Sequence, residues 1–251
     1  MTGEWSDLDD GFAGPRLDPA VWTDHYLPHW TTPDRSAARY DLGADGLRLR
    51  IDADQPGWRP EDPPLRVSSV QTADFSGPVG SQRGIHRHRP DGLLVRSERP
   101  LRLGWAPHAG RLEVTLSAST DPGCMTAAWL VGTEHRAPGE AGEICLFEID
   151  ADAIGAAGSR ARVGVKAHGD ARMTNDMAEV GIPVDASRPH TWSLEWGAGI
   201  TEVRCAGALV RRIEQAPDYP LVLLLSLFEI AEPAGEYPKS AVFHRVRGRS
   251  A

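Results

Sequence analysis

The chain has few cysteines, no long apolar run and no excess of basic residues. Its three cysteines, Cys124, Cys145 and Cys205, are too few, and odd in number, for a disulfide framework. No segment approaches the roughly 18 apolar residues that a membrane-spanning helix needs. The formal net charge of −8 argues against nucleic-acid binding, which usually requires clustered basic residues. We therefore expect neither a membrane nor a nucleic-acid partner.

The first ten residues carry neither the basic start nor the apolar core of a secretion signal. This predicts a cytoplasmic protein, whereas a chain trimmed of its leader would be secreted. Apolar residues make up 41% of the 251 residues, enough for a sizeable core, and no linker or repeat divides the chain. We expect one domain over residues 1–251 and a monomer.

Short β-prone runs separated by turn residues predict an all-β protein. The chain has 26 glycines and 20 prolines, residues that typically punctuate strands and form turns. The pattern predicts ten strands, at residues 46–52, 92–97, 111–117, 125–131, 143–149, 161–168, 190–196, 201–206, 221–228 and 241–247. Alternating and wholly apolar strands together predict two antiparallel sheets packed face to face, with the last strand beside the N-terminal segment. Residues 150–158 read as a short helical turn or a loop, and residues 55–64 as an exposed loop.

Two glutamates, Glu143 and Glu148, bracket a short apolar run that reads as a largely buried strand. A carboxylate in such a strand is costly unless something there satisfies or uses it. Residues five apart on a strand point to opposite faces, and one inserted residue, a β-bulge, would bring both glutamates to one face. The two interpretations are paired acid and nucleophile chemistry, or one solvent-facing and one edge-facing carboxylate.

The segment Glu143-Ile144-Cys145-Leu146-Phe147-Glu148 resembles the bulged Glu-x-Asp-x-x-Glu signature of glycoside hydrolase family 16, the laminarinase and lichenase group. Further segments resemble other motifs of this family, in the family's order: residues 10–22, 110–114, 125–132 and 190–196. The resemblance therefore covers nearly the whole chain. It implies a concanavalin A-like jelly roll, a curved antiparallel β-sandwich whose concave face forms a substrate cleft.

The same resemblance implies a retaining endo-glycosidase, with Glu143 as the nucleophile and Glu148 as the acid/base. The expected substrate is a β-linked glucan, either β-1,3-glucan or mixed β-1,3/1,4-glucan. Retaining enzymes hold the two carboxyl groups roughly 5–5.5 Å apart. The alternatives are a non-catalytic, lectin-like carbohydrate-binding protein and a transglycosylase, so a polysaccharide or oligosaccharide is the expected partner in every case.

Cys145 departs from the signature, which places an aspartate at this position. A buried thiol behaves as a small hydrophobe and is a weak hydrogen-bonding group. With one anion fewer nearby, Glu148 loses one influence that would raise its pKa. This predicts slower turnover or a lower pH optimum than in a relative with the aspartate, and simple core packing of Cys145 is the other interpretation.

Further residues are candidate sugar contacts. Trp129 and Trp196 correspond to tryptophans of the family motifs, and aromatic rings suit the apolar faces of sugars, although a single tryptophan is more often a core residue. Met125 stands where the family has another cleft tryptophan. His168 follows the catalytic strand and either bonds the carboxylates or is a satisfied core histidine.

We expect no required metal and no cofactor. His86 and His88 share a strand face, a spacing compatible with zinc, but no cysteine or carboxylate partner accompanies them at suitable spacing. Contacts to sugar hydroxyls are the favoured interpretation. Many members of the resembled family hold a structural calcium ion through an aspartate of the final strand, where this chain has His244, and calcium prefers oxygen ligands.

Overall fold

The computed structural model describes residues 7–63, 65–89 and 91–251. The strands within these ranges are β1 Leu8–Asp10, β2 Arg39–Gly43, β3 Gly46–Ile51, β4 Arg66–Gln71, β5 Ala73–Asp74, β6 Arg102–Leu103, β7 Gly110–Ser117, β8 Cys124–Gly132, β9 Glu143–Asp150, β10 Ser159–Lys166, β11 Asp176–Ile182, β12 His190–Gly197, β13 Ile200–Cys205, β14 Ala208–Ile213, β15 Leu221–Glu229 and β16 Lys239–Ser250. The helical elements are α1 Pro33–Ser36 and two 3₁₀ turns, Pro28–Trp30 and Ala151–Ala153. In this part of the chain no helix has the length and apolarity needed to cross a membrane.

Two large antiparallel sheets contain most of these strands. The first sheet has the order β14-β13-β12-β7-β16-β3-β2, with β1 paired to β16. The second sheet has the order β11-β10-β9-β8-β15-β4, and β5 and β6 form a small separate pair. The predicted all-β sandwich is confirmed, as is the position of the last strand beside the N-terminal segment.

The main hydrophobic core lies between the two sheets. All nine residues of strand β15 are buried, and their side chains point alternately into this core and away from it. Four alternate leucines join the core between the sheets: Leu221, Leu223, Leu225 and Leu227. Side chains of the opposite face join a second cluster: Val222, Leu224 and Phe228. Both faces of β15 are covered, which explains its unbroken apolar sequence, and each such burial contributes about 1.5–3 kcal/mol.

The second cluster, here called the outer cluster, covers part of the far face of the second sheet. Its members come from loops and from β4, β5, β8 and β15: Tyr26, Leu27, Trp30, Trp58, Val67, Ala73, Ile85, Leu93, Val95, Ala127, Trp129, Val131, Val222, Leu224 and Phe228. The loops are tied together, since Trp58 Nε1 donates to the carbonyl of Tyr26 at 3.1 Å and Trp30 Nε1 donates to that of Ile85 at 2.9 Å. The neighbouring strands β9 and β10 carry the open part of this face.

Nine of the ten predicted strands are present, with ends that differ by at most three residues. The strand predicted at 92–97 is wrong, because this segment is a loop whose Leu93 and Val95 are buried in the outer cluster. The sequence pattern missed β4, a polar strand whose buried Ser68 and Ser69 are satisfied by the carbonyl of Arg39 and the hydroxyl of Ser226. It also missed several shorter or more exposed strands: β1, β2, β5, β6, β11 and β14. Residues 55–63 form a loop, as predicted, but the expected exposure is wrong because Gln55, Trp58 and Arg59 are buried. Pro64 lies outside the described residues.

Candidate active site

Strand β9 contains a β-bulge at Leu146. Against β8, Phe147 is paired with Ala128 and Cys145 with Trp129, so Leu146 is the extra residue on β9. The register against β10 shifts at the same place. Leu146 and Phe147 are consecutive, yet both lie in the core between the sheets. The bulge therefore lets one strand place two neighbouring side chains on the same side.

As a consequence, Glu143, Cys145 and Glu148 all lie on the far face of the sheet from the core. One carboxylate oxygen of each glutamate and Sγ of Cys145 lie within 4.8 Å of one another. Both glutamates border a cleft of about 150 Å³. The cleft is lined by Tyr26, His86, Met125, Ala127, Trp129, Glu143, Glu148, Lys166, His168 and Phe228. The structure thus brings together the two carboxylates that the sequence pattern singled out.

Lys166 lies between these two carboxylates. Its Nζ is 2.9 Å from Oε1 of Glu143 and 2.8 Å from Oε1 of Glu148. Lys166 is paired with Glu143 across β10 and β9, and directly opposite residues of neighbouring strands share one face of a sheet. Burial lowers the pKa of Lys166, but the two carboxylates outweigh burial and hold this pKa above its ordinary value. The ammonium group therefore stays charged.

Glu148 has a second cationic neighbour, Arg162. Nε of Arg162 donates to Oε2 of Glu148 at 2.9 Å, and the same guanidinium also bonds Asp150 and Sδ of Met125. Burial raises the pKa of Glu148, but Lys166 and Arg162 together outweigh burial and bring this pKa below its ordinary value. In the free protein Glu148 is therefore ionised at neutral pH.

Glu143 is held by two different groups, one on each carboxylate oxygen. Lys166 contacts Oε1, and Nε2 of His168 lies 2.7 Å from Oε2. The backbone of His168 is left-handed, with φ of 45°, a conformation that is uncommon for residues with a side chain and that clusters at functional sites. His168 therefore bonds a candidate catalytic carboxylate, one of the two interpretations of this residue from the sequence.

The start of β9 is anchored by a hydrogen-bond chain. The backbone N–H of Gly142 donates to the hydroxyl of Tyr219 at 2.6 Å, and that hydroxyl donates to Asp170 at 2.8 Å. A Cβ atom at position 142 would lie 2.3 Å from Sδ of Met173 and 2.5 Å from the Tyr219 hydroxyl. Glycine is therefore needed at this position, and the contact fixes the residue directly before Glu143.

Cys145 lies fully buried beneath the two glutamates. Its Sγ is 3.5 Å from the carbonyl oxygen of Arg162. Burial, followed by the charges of Glu148 and Glu143, raises the pKa of the Cys145 thiol well above its ordinary value. A neutral thiol is a poor nucleophile, because the thiolate is the reactive form. Cys145 therefore fills the position without supplying the charge that an aspartate would bring.

Trp129, Met125 and Trp196 were also predicted to contact sugar, and the first two line the cleft. Trp129 lines it, with its ring 5.0 Å from that of His86, and Met125 lines it beside Arg162. The prediction that Trp196 contacts sugar in this cleft is wrong. Trp196 belongs to β12 of the first sheet, and its indole lies in the core between the sheets, because the alternation of this strand turns the ring inward.

A larger basin lies beside the cleft, on the far side of Arg162. It has a volume of about 610 Å³, and its lining residues are Thr120, Pro122, Gly123, Cys124, Asp150, Ala151, Asp152, Arg162, Ile230 and Ala231. Arg162 contacts Glu148 and also lines this basin. The two depressions together offer room for more than one unit of an extended ligand.

Metal-ligand geometry occurs twice in the described ranges, in Glu143–Cys145–Glu148 and in His86–Glu143–His168. His88 is not part of either group, and its Nε2 lies 3.3 Å from Oδ2 of Asp62. On the first sheet, His244 contacts the carbonyl of Asp45 at 2.7 Å and the hydroxyl of Ser117 at 3.0 Å. All three cysteines are free and buried.

Sequence reasoning missed Lys166 and Arg162, the two cations of the site. A signal for both was present, because Arg162, Lys166 and His168 are separated by even numbers of residues on one predicted strand. Side chains at such spacings share a strand face, so placing His168 beside the carboxylates implied the same face for both cations.

Solved structures with this fold include glycoside hydrolases. No protein-family model matches the sequence, and no curated protein matches it. An endo-β-galactosidase from Clostridium perfringens that releases GlcNAcα1-4Gal has a TM-score of 0.83 and 24% identity, over 96% of this chain and 62% of that chain. This chain thus spans less than two thirds of that enzyme's length.

Two glucanases have the same fold at lower similarity. The laminarinase catalytic domain from Thermotoga maritima has a TM-score of 0.65 and 14% identity, over 97% of each chain. The β-glucanase from Bacillus licheniformis has a TM-score of 0.63 and 13% identity, over 97% of this chain and 98% of that chain. The jelly-roll fold expected from the sequence is therefore confirmed.

Proposed function

We propose that this protein is a retaining endo-glycosidase in which Glu143 is the nucleophile and Glu148 the acid/base. The observation that carries the proposal is the approach of the two carboxylates to within 4.8 Å at the floor of one cleft. Retaining glycosidases hold these groups roughly 5–5.5 Å apart, whereas inverting enzymes separate them by roughly 6.5–9.5 Å to admit a water molecule. The short separation supports retention.

In the first step, protonated Glu148 donates its proton to the glycosidic oxygen while a carboxylate oxygen of Glu143 bonds to the anomeric carbon. The bond from that carbon to the leaving sugar breaks, and a glycosyl-enzyme ester remains. In the second step, Glu148 takes a proton from water, the water oxygen bonds to the anomeric carbon, and the ester bond to Glu143 breaks. His168 supports the first step by orienting the carboxylate of Glu143.

Lys166 has a defined part in this cycle. In the free protein its ammonium lies between the two carboxylates. The scissile bond of a substrate must occupy this same space. Substrate binding therefore moves the ammonium toward one carboxylate. Because Lys166 and Arg162 keep Glu148 ionised at neutral pH, and the first step needs a protonated acid, we expect activity to be highest at acidic pH.

A β-1,3- or mixed β-1,3/1,4-glucan is the first candidate substrate. The resemblance of the sequence motifs and the fold shared with a laminarinase and a β-glucanase support it. A β-galactoside is the second candidate, because the TM-score is higher for the endo-β-galactosidase than for either glucanase. The basin beyond Arg162 supports internal cleavage, since a polysaccharide cut internally needs room beyond the catalytic cleft.

The test is release of new reducing ends from laminarin, lichenan and β-galactan by the wild-type protein and by Glu143→Ala and Glu148→Ala. We expect release by the wild type and a loss of about 10²–10⁴-fold or more in each variant. Glu195→Ala is the matched control, because this exposed glutamate lies on β12 of the other sheet. NMR of the first product formed from a β-linked substrate is expected to show the β-anomer.

Three other outcomes contradict hydrolysis with retention. Binding of a polysaccharide by the wild-type protein without release of reducing ends supports the lectin-like alternative. Products longer than the starting oligosaccharide support transglycosylation. Release that survives in Glu143→Ala excludes this residue as the nucleophile.

A further inference from the structure

Two imidazoles converge on the nucleophile from one side of the cleft. His86, Glu143 and His168 each place a ligand atom within 4.8 Å of the other two. Nε2 of His168 is 2.7 Å from Oε2 of Glu143. The rings of His86 and His168 are nearly perpendicular, with centroids 4.7 Å apart. Two imidazoles and one carboxylate are a ligand set that binds Zn²⁺ with a fourth position left open.

His86 has a buried ring nitrogen that lacks a partner. The residue is 9% exposed, and its Nδ1 makes no hydrogen bond to any residue that the structure describes. Buried polar atoms are normally paired, so this ring has hydrogen-bonding or metal-binding capacity that the described residues do not use. The backbone of His86 is left-handed, with φ of 54°, and its N–H donates to the buried carboxylate of Glu134 at 2.7 Å. The surrounding structure therefore holds His86 in place.

Lys166 and His168 contact different oxygens of the Glu143 carboxylate. Lys166 contacts Oε1 of Glu143, whereas His168 contacts Oε2. A metal ion bound between Nε2 of His168 and Oε2 of Glu143 therefore reaches the carboxylate without displacing Lys166. The other candidate group, Glu143–Cys145–Glu148, already has the Lys166 ammonium between its carboxylates.

We propose that His86, His168 and Glu143 form a binding site for a divalent transition metal ion, and that Zn²⁺ bound there blocks the nucleophile. Imidazole nitrogen binds Zn²⁺ at about 2.0–2.1 Å and carboxylate oxygen at about 2.0–2.2 Å, so small shifts of the three side chains complete the site. Binding replaces the hydrogen bond between Nε2 of His168 and Oε2 of Glu143, because a metal ligand must offer a free lone pair. The blocking role rests on the proposed function, whereas metal binding does not.

The binding experiment is calorimetric titration of the full chain with Zn²⁺, repeated for His86→Ala and His168→Ala. We expect one ion per wild-type chain and a loss of affinity of at least about tenfold in each variant, since even indirect partners of metal ligands are worth about 10–100-fold. His25→Ala is the matched control, because His25 contacts Asp24 and belongs to neither group. This variant is expected to bind Zn²⁺ as the wild type does.

Co²⁺ provides a second readout that requires no variant. Bound to the wild-type protein, Co²⁺ is expected to give the visible absorption of a four-coordinate ion with nitrogen and oxygen ligands, and Zn²⁺ is expected to displace it. Circular dichroism of each variant shows whether the fold is retained. His86→Gln and His168→Gln replace any alanine variant that fails to fold.

Absence of Zn²⁺ binding to the wild-type protein overturns the site, as does binding that the two histidine variants leave unchanged. Full glycosidase activity with Zn²⁺ bound overturns the blocking role alone. If the wild-type protein releases no sugar from any substrate, the proposed function fails while the titration and the Co²⁺ spectrum still decide the metal site.

Discussion

Nζ of Lys166 lies 2.8 Å from Oε1 of Glu148. A general acid usually needs a pKa raised toward the working pH, and this contact acts in the opposite direction. The other charged groups around Glu148 are Arg162, Glu143 and Asp150, and the thiol of Cys145 beside them is neutral. Lys166 and Arg162 together outweigh the effect of burial, so the pKa of Glu148 lies below its ordinary value.

Lys166→Met is expected to move the alkaline limb of the pH profile of kcat/KM to higher pH. In the wild type the active, protonated form of Glu148 is lost as pH rises through the lowered pKa. Removing the ammonium raises that pKa, so protonation persists to higher pH. Lys166→Arg keeps the charge and is expected to keep the wild-type limb. Identical profiles for the methionine variant and the wild type would contradict this role.

Cys145→Asp is expected to shift the same limb in the same direction. A carboxylate at this buried position lies near Oε of Glu148 and opposes the effect of Lys166, and a nearby like charge raises a carboxyl pKa. Cys145→Ser adds no charge and serves as the control. The pH dependence of kcat/KM measures the outcome, and an unchanged profile in the aspartate variant would show that Cys145 is only a packing residue.

Trp129→Leu is expected to raise KM, whereas its control, Trp196→Leu, is not. Trp129 lines the cleft, whereas Trp196 lies in the core between the sheets. Loss of an aromatic contact worth about 0.5–1.5 kcal/mol corresponds to a rise in KM of about 2- to 10-fold. Trp196→Leu is expected to lower stability and leave KM unchanged. Equal KM values for the two folded variants would remove Trp129 from the substrate contacts.

Lys239→Ala is expected to destabilise the fold by more than about 1 kcal/mol, because it removes one of the two cations, Lys239 and Arg66, that pair with the buried carboxylate of Glu229. Nζ of Lys239 lies 2.5 Å from Oε1 of Glu229, and both side chains are almost fully buried. Urea unfolding measures the change. Arg245→Ala removes an exposed pair with Asp9, and such pairs contribute about 0–1 kcal/mol. Similar losses in the two variants would contradict the prediction.

Local features of the chain predicted strand β9 correctly, whereas a similar feature at residues 92–97 led to a wrong prediction. The apolar run between Glu143 and Glu148 becomes a buried strand, and its odd spacing pointed to a bulge that the structure contains. The apolar run at 92–97 looked similar but forms a loop. Its Leu93 and Val95 are buried against the outer cluster, so burial without strand pairing produced the same sequence signal.

By itself, the sequence determined the β-sandwich and the pair of glutamates, because alternation, apolar runs and turn residues act over a few neighbouring positions. Only the tertiary structure decided which tryptophan faces the cleft and which joins the core, since that depends on the sheet each strand enters. It also decided that Lys166 comes between Glu143 and Glu148. That contact depends on the register of β10 against a bulged β9, and register is set by packing between strands distant in the chain.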